Sequence, residues 1–196
     1  MMDLLKAFER MERSIPRLLA ESSLWRGREM RFENREGALT VDRVERVWEE
    51  PWDASDVEVP DYARGMHAFV RLHRFSTTRA GEEIMHHHRW PGAFRIVSGG
   101  YRVAFGRSDT AAGWPGPARE IEVDLRAPSA YAMEHVDVWH SLRVEETTRT
   151  LVLALPDWPG ANRPNPPNEM KARLMTDVEV EETLAIYREH YPVVNV

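Results

Sequence analysis

The chain contains no cysteine, and this absence restricts its chemistry more than any other feature of the composition. Disulfide bonds, thiolate metal ligands and a cysteine nucleophile are all excluded, so any metal must be held by His, Asp or Glu side chains. Long apolar runs are absent too, since no stretch approaches the roughly 18 residues that a membrane-spanning helix needs. With 42% hydrophobic and 30% charged residues, the composition is typical of a globular protein without a membrane span.

Basic runs with interleaved aromatic residues are also missing. The formal net charge is −6, whereas nucleic-acid binding depends on neutralising phosphates with Lys and Arg. Residues 1–21 alternate apolar and charged side chains, which differs from the apolar block of a secretory signal. The sequence therefore predicts a cytoplasmic protein that binds neither nucleic acid nor membranes.

Short strands are predicted for the middle of the chain. From about residue 39 to residue 155, runs rich in Val, Phe, Tyr, Thr and Leu alternate with turn signals, a pattern typical of an antiparallel barrel or sandwich. Earlier in the chain, apolar residues spaced three and four apart predict an amphipathic helix, or two short helices bent near Pro16. We therefore divide the chain into a helical extension, 1–38, a β-rich domain, 39–155, and a C-terminal part, 156–196.

The C-terminal part combines a loop and a helix. Residues 156–168 are too rich in proline for a helix or a central strand. Beyond them, Thr176 and Glu179 have the spacing of a capping box ahead of an apolar run. The sequence thus predicts a proline-rich loop followed by a C-terminal helix.

Three adjacent histidines are the strongest functional signal in the sequence. Residues two apart on a strand point to the same face, so His86 and His88 would converge while His87 turns away. A metal shared by this pair needs a third ligand from a neighbouring strand. The segment EHVDVWHSLRV offers His140 for this role, with His135 as a reserve.

The spacing around these histidines resembles the first motif of the cupin superfamily. In that motif a glycine precedes an HxH pair, which is followed by a glutamate and, six residues later, by another glycine. This chain has Gly81, then His86 and His88, then Gly92 after three residues and Gly99 after six more. Only the glutamate is missing, and Gly92 stands in its place.

The second cupin motif, a lone metal-binding histidine late in the domain, is similar to PSAYAMEHVDVWHSLRV with His140 in that role. The resemblance covers roughly residues 57–155. It implies an all-β cupin barrel, a double-stranded β-helix or jelly roll, with helices at both ends. It also implies one divalent metal on His86, His88 and His140, with Fe(II) favoured and Zn, Mn or Ni as alternatives.

The missing glutamate has two interpretations. The site resembles the three-histidine, cysteine dioxygenase-like branch of cupins, where glycine can stand at this position, or else it has decayed. Three neutral imidazoles leave the full charge of the dication uncompensated and favour an anionic, chelating substrate. The resemblance therefore implies a non-haem Fe(II) dioxygenase or related oxidoreductase that acts on a small anionic metabolite.

Two other functions stay open on the same fold: a sugar-type isomerase or epimerase, and a non-catalytic cupin that binds a small ligand. A closer assignment to thiol dioxygenases is disfavoured, because the chain lacks a counterpart of their Ser-His-Tyr arrangement and has no cysteine for a cysteine–tyrosine crosslink. A homodimer also remains open.

The run HAFVRLHRF supplies candidate substrate ligands. Arg71 and His73 share one strand face with Phe69 and Phe75. If this face lines the barrel, Arg71 is the expected anchor for an anionic substrate, with His73 beside it. The alternative is that the face is the solvent-exposed outside of the barrel.

Overall fold

The computed structural model describes residues 4–33, 38–48, 67–78, 83, 85–107, 118–158 and 170–192. In this part of the chain the fold consists mostly of antiparallel β-strands and has a helix near each end. The elements in chain order are α1 (Leu4–Ala20), a 3₁₀ turn (Ser22–Leu24), β1 (Arg26–Glu33), β2 (Ala38–Trp48), β3 (Ala68–Phe75), β4 (His86–His87), β5 (Gly92–Ser98), β6 (Gly100–Arg107), β7 (Ile121–Arg126), β8 (Ala130–Met133), β9 (Val138–Val144), β10 (Thr148–Ala154), β11 (Met170–Leu174) and α2 (Asp177–His190). The predicted fold class, strands with helices at both ends, is confirmed at this level.

The strands form two sheets. One sheet has seven strands in the order β11-β1-β2-β3-β10-β5-β8, and the other has four in the order β4-β9-β6-β7. A buried apolar cluster from both sheets fills the space between them, and it includes Met30, Val41 and Ile96 from the first and Val103 and Leu142 from the second. Among the described strands the two sheets are not joined into a closed barrel, so the layout there is that of a sandwich.

The outer face of the seven-stranded sheet is covered by the helices. Helix α1 buries one stripe of side chains, runs through Pro16 without a break, and so forms one helix rather than two. Its stripe packs in one cluster with residues of α2 and with outward-facing residues such as Val44, Val70, Leu72 and Leu151. Because these side chains occupy the helix-covered face, their neighbours on β3 point into the space between the sheets.

Helix α2 begins with the predicted capping box. The Thr176 side chain accepts a hydrogen bond from the Glu179 backbone N–H, and the Glu179 carboxylate accepts one from the Thr176 backbone N–H at 2.7 Å. Further along, the buried Tyr187 hydroxyl lies 2.8 Å from the carbonyl oxygen of His73 and 2.9 Å from that of Thr150. Helix α2 therefore fixes β3 and β10 from behind.

The strands come from all three predicted parts of the chain. Strand β1 lies within residues 1–38 and pairs with β11, which lies within residues 156–196. Most of the predicted proline-rich loop falls outside the described residues. Within the described part, neither helix is long and apolar enough to cross a membrane.

Candidate metal centre

Strand β4 places the histidine pair beside β9. The two strands are antiparallel, with His86 opposite His140 and His87 opposite Trp139. The imidazole of His86 lies 4.4 Å from that of His140, whereas the ring of His87 lies on the other side, 4.8 Å from the Trp139 indole. His86 and His87 thus point to opposite faces of the strand, as the HxH spacing predicted.

The three candidate ligands converge on one point. Nε2 of His140 lies 2.9 Å from Nε2 of His88 and 3.0 Å from Nε2 of His86. A neutral imidazole nitrogen carries either a hydrogen or one in-plane lone pair, so Nε2 of His140 cannot make good hydrogen bonds to both rings. Imidazole nitrogens bind divalent metals at about 2.0–2.1 Å, and two of them at a right angle around one ion lie about 3 Å apart. The geometry fits one divalent metal shared by His86, His88 and His140.

His140 is buried, whereas His86 and His88 are half-buried. His140 is 2% exposed, and burial lowers the pKa of both His88 and His140 well below the ordinary value. Neighbouring imidazoles lower both pKa values further, those of His140 and His86 for His88 and those of His86 and His87 for His140, because like positive charges repel. Neutral histidine is the form that coordinates a metal.

Aromatic rings line one side of the histidine group. The Trp90 indole lies edge-on to His88 at 4.2 Å, and Phe94 lies 5.4 Å from the same ring. Phe94 stacks on Tyr131 at 4.8 Å with an interplanar angle of 11°. These rings make one wall of the site apolar.

Gly92 shares its strand face with Phe94 and therefore faces the interior. A Cβ atom there would lie 2.9 Å from Cε3 of Trp90 and would overlap with Cζ3 of the same ring, while the Leu153 carbonyl oxygen would be 3.3 Å away. The Trp90 indole thus fills the space that a side chain at Gly92 would enter. In the cupin motif that this segment resembles, a carboxylate side chain stands at this position. In this protein the Trp90 ring occupies the space that such a side chain would need.

Arg71 and His73 lie inside the protein, so the alternative of a solvent-exposed outer face is wrong. The reason is the helix cover on the opposite face of β3. Nε of Arg71 donates to the Glu45 carboxylate at 2.8 Å, and its guanidinium lies 4.6 Å from the Trp90 ring. His73 is 3% exposed, and burial lowers its pKa well below the ordinary value.

Two residues of β2 that the sequence analysis did not identify complete this region. Arg43 donates from Nε to Nε2 of His73 at 3.0 Å, and Glu45 pairs with Arg71. The register places Arg43 opposite His73 and Glu45 opposite Arg71. The signal in the sequence was the alternation VDRVERV, in which Arg43 and Glu45 share a face with Val41 and Val47.

The remaining histidines do not join the site. His135, the reserve ligand, is exposed in the turn before β9 and lies outside the three-histidine group. His67 and His190 are exposed as well.

Comparison with known proteins gives weak structural likeness. No family model and no curated protein matches the sequence. Among solved structures, hydroxypropylphosphonic acid epoxidase from S. wedmorenis overlaps with a TM-score of 0.36, 9% identity and 57% of this chain, but over only 50% of the epoxidase. Ectoine synthase from P. lautus overlaps with a TM-score of 0.36 and 12% identity, over 68% of this chain and 76% of its own. A putative sugar phosphate isomerase from Acidithiobacillus ferrooxidans ATCC 23270 overlaps with a TM-score of 0.33 and 16% identity, over 58% of this chain and 69% of its own. At such scores neither a family nor a function follows from the likeness.

Proposed function

We propose that the protein is a metal-dependent oxidoreductase of the non-haem Fe(II) dioxygenase type, acting on a small anionic metabolite that chelates the metal. The observation that supports this most directly is the convergence of three Nε2 atoms, with His140 at 2.9 and 3.0 Å from its two neighbours. Iron bound there would supply redox chemistry with dioxygen.

The charge of the site favours an anionic substrate. All three candidate ligands are imidazoles, which coordinate a metal in their neutral form, and the three-histidine group contains no carboxylate among the described residues. Arg43 and Arg71 add positive charge close enough to lower the pKa of His88. A neutral sugar would leave this charge uncompensated, whereas a carboxylate or a deprotonated heteroatom would offset it.

The aromatic wall would exclude water and shape the binding space. Trp90 and Phe94 border His88 on one side, and the stacked Tyr131 extends the wall toward His140. Arg71, held in place by Glu45, would orient the anionic end of the substrate. Binding would therefore place a short acid between the guanidinium and the histidines.

The test is oxygen consumption by protein purified without an affinity tag and reloaded anaerobically with Fe(II), Zn(II) or Mn(II). A panel of small carboxylic acids, amino acids, thiols and neutral sugars serves as candidate substrates. We expect oxygen uptake with the Fe(II) protein and an acidic substrate, and none with the Zn(II) protein. Turnover without oxygen uptake would indicate the isomerase alternative, and binding without turnover would indicate the non-catalytic one.

A further inference from the structure

A second group of polar side chains lies on the inner face of the seven-stranded sheet. It consists of Arg43 on β2, Arg71 and His73 on β3, and Thr150 on β10, and we call it the inner polar cluster. The strand register pairs Arg43 with His73 and His73 with Thr150, so these three lie side by side across adjacent strands. Arg71 lies two residues from His73 on the same face.

The unpaired polar atoms of this cluster are hydrogen-bond donors. Because Nε2 of His73 accepts from Arg43, the neutral ring must carry its hydrogen on Nδ1. Within the described part of the chain, Nδ1 of His73, Nη1 of Arg71 and Oγ1 of Thr150 are all buried and have no hydrogen-bond partner. Buried polar groups nearly always have a partner, so three such groups on neighbouring strands indicate that an acceptor binds here.

The charge of the cluster points to an anion as that acceptor. The guanidinium groups of Arg43 and Arg71 lie near a single carboxylate, that of Glu45. The nearby carboxylate of Asp157 already pairs with Arg89 at 3.0 Å. Burial and repulsion from Arg71 lower the pKa of Arg43 to about 9, despite the opposing effect of Glu45. Positive charge that is buried without full compensation is costly, and a bound anion would remove that cost.

We propose that the inner polar cluster is an oxyanion subsite, which receives a carboxylate or phosphoryl group of the substrate while the other end of the molecule reaches the three histidines. The Trp90 ring lies 4.6 Å from the guanidinium of Arg71 and 4.2 Å from the imidazole of His88, so it borders both places. The substrate class is therefore a short acid with chelating atoms a few bonds from its acidic group. This assignment to one substrate rests on the proposed function, but the binding of an oxyanion does not.

The experiment uses metal-free protein prepared with a neutral chelator such as 1,10-phenanthroline, titrated calorimetrically with inorganic phosphate and with acetate. Acetamide serves as the neutral counterpart of acetate. We expect one binding site for at least one of the two anions and no binding of acetamide. If acetate alone binds, the group is a carboxylate; if phosphate alone binds, it is a phosphoryl group.

Three variants locate the binding. Arg71→Met should weaken binding of the anion by about tenfold to a hundredfold, and the isosteric Thr150→Val by about two- to tenfold. Arg102→Met is the matched control, because Arg102 also pairs with a carboxylate, Asp124, but is exposed on another sheet. It should bind like the wild type.

The subsite would be overturned if the folded wild type bound neither anion. It would also be overturned if folded Thr150→Val, and any Arg71 variant that folds, bound the anion with unchanged affinity. If Arg71→Met does not fold, Thr150→Val decides the outcome. Metal content is measured separately on the same preparations before chelation. A protein that binds the anion but no metal would refute the proposed function and leave the subsite standing, and the reverse result would refute the subsite alone.

Discussion

At the scale of single residues, Trp90 and Gly92 share one small volume beside the histidines. The absence of a side chain at Gly92 is what lets the indole lie against His88 and under the guanidinium of Arg71. The packing of Trp90 therefore explains why position 92 is a glycine, whether or not a metal ligand is missing there.

This steric account predicts that Gly92→Ala destabilises the protein by about 1–3 kcal/mol, because the new Cβ overlaps with the Trp90 ring. Urea unfolding of the metal-free protein measures the change. In a Trp90→Leu background the same substitution should cost markedly less, since the indole is gone. Equal costs in both backgrounds would show that Trp90 does not fill this space.

Arg71 carries the second prediction at this scale. Its Nε donates to Glu45, while Nη1 has no partner among the described residues and can donate to a ligand. A lysine ammonium cannot reproduce this planar arrangement of two donors. Arg71→Lys should weaken the binding of the best acid ligand by about 1–3 kcal/mol and leave metal content intact. Arg102→Lys is the control, and an unchanged affinity in Arg71→Lys would exclude Arg71 as the anchor.

At the scale of elements, helix α2 positions the inner polar cluster from outside the sheet. The Tyr187 hydroxyl contacts the carbonyl oxygens of His73 and Thr150, which belong to adjacent strands. These contacts lie directly behind two of the four residues in the cluster. The helix is therefore expected to contribute to the register of β3 and β10.

The Tyr187→Phe variant should accordingly lose about 1–2 kcal/mol of unfolding free energy, because the single O–H donor that the buried carbonyl oxygens of His73 and Thr150 share is removed. Chemical denaturation measures this loss. The matched control is Tyr191→Phe, which removes a hydroxyl bound to Glu12 at a half-buried position and should cost less. A larger loss for Tyr191→Phe would mean that the buried contact is not the important one.

The elements also show what the sequence could and could not predict. Strand alternation was enough to separate His86 from His87, and the capping box located the start of α2, because both depend on local geometry. The orientation of β3 could not be read locally, since both of its faces have apolar residues and the helices decide which face is outside. Arg43 was missed for the same reason, because its role depends on the pairing of β2 with β3.

At the scale of the whole molecule, the interior carries histidines that burial keeps neutral. The pKa values of His73, His88 and His140 are all lowered well below the ordinary histidine value of 6.5. In the unfolded chain these groups bind protons below about pH 6.5, whereas in the fold they resist protonation. Protons therefore favour the unfolded chain as the pH falls.

We expect the metal-free protein to lose stability as the pH falls below about 6.5 toward the lowered folded-state values, by up to about 1.4 kcal/mol per pH unit for each such histidine. Above that pH both states are deprotonated at these positions, and the histidines add no pH dependence. Denaturant midpoints between pH 8 and pH 5 test this. A His73→Gln variant should show a shallower loss, and an identical slope would exclude His73 from the effect.

The most direct test of the metal centre is the metal content per chain of untagged protein reconstituted with Fe(II) under anaerobic conditions. The account predicts one equivalent in the wild type and in His87→Ala, whose ring faces Trp139. It predicts loss of stoichiometric metal in His86→Ala, His88→Ala and His140→Ala, whose Nε2 atoms form the group. A full equivalent of iron retained by folded His140→Ala would contradict it.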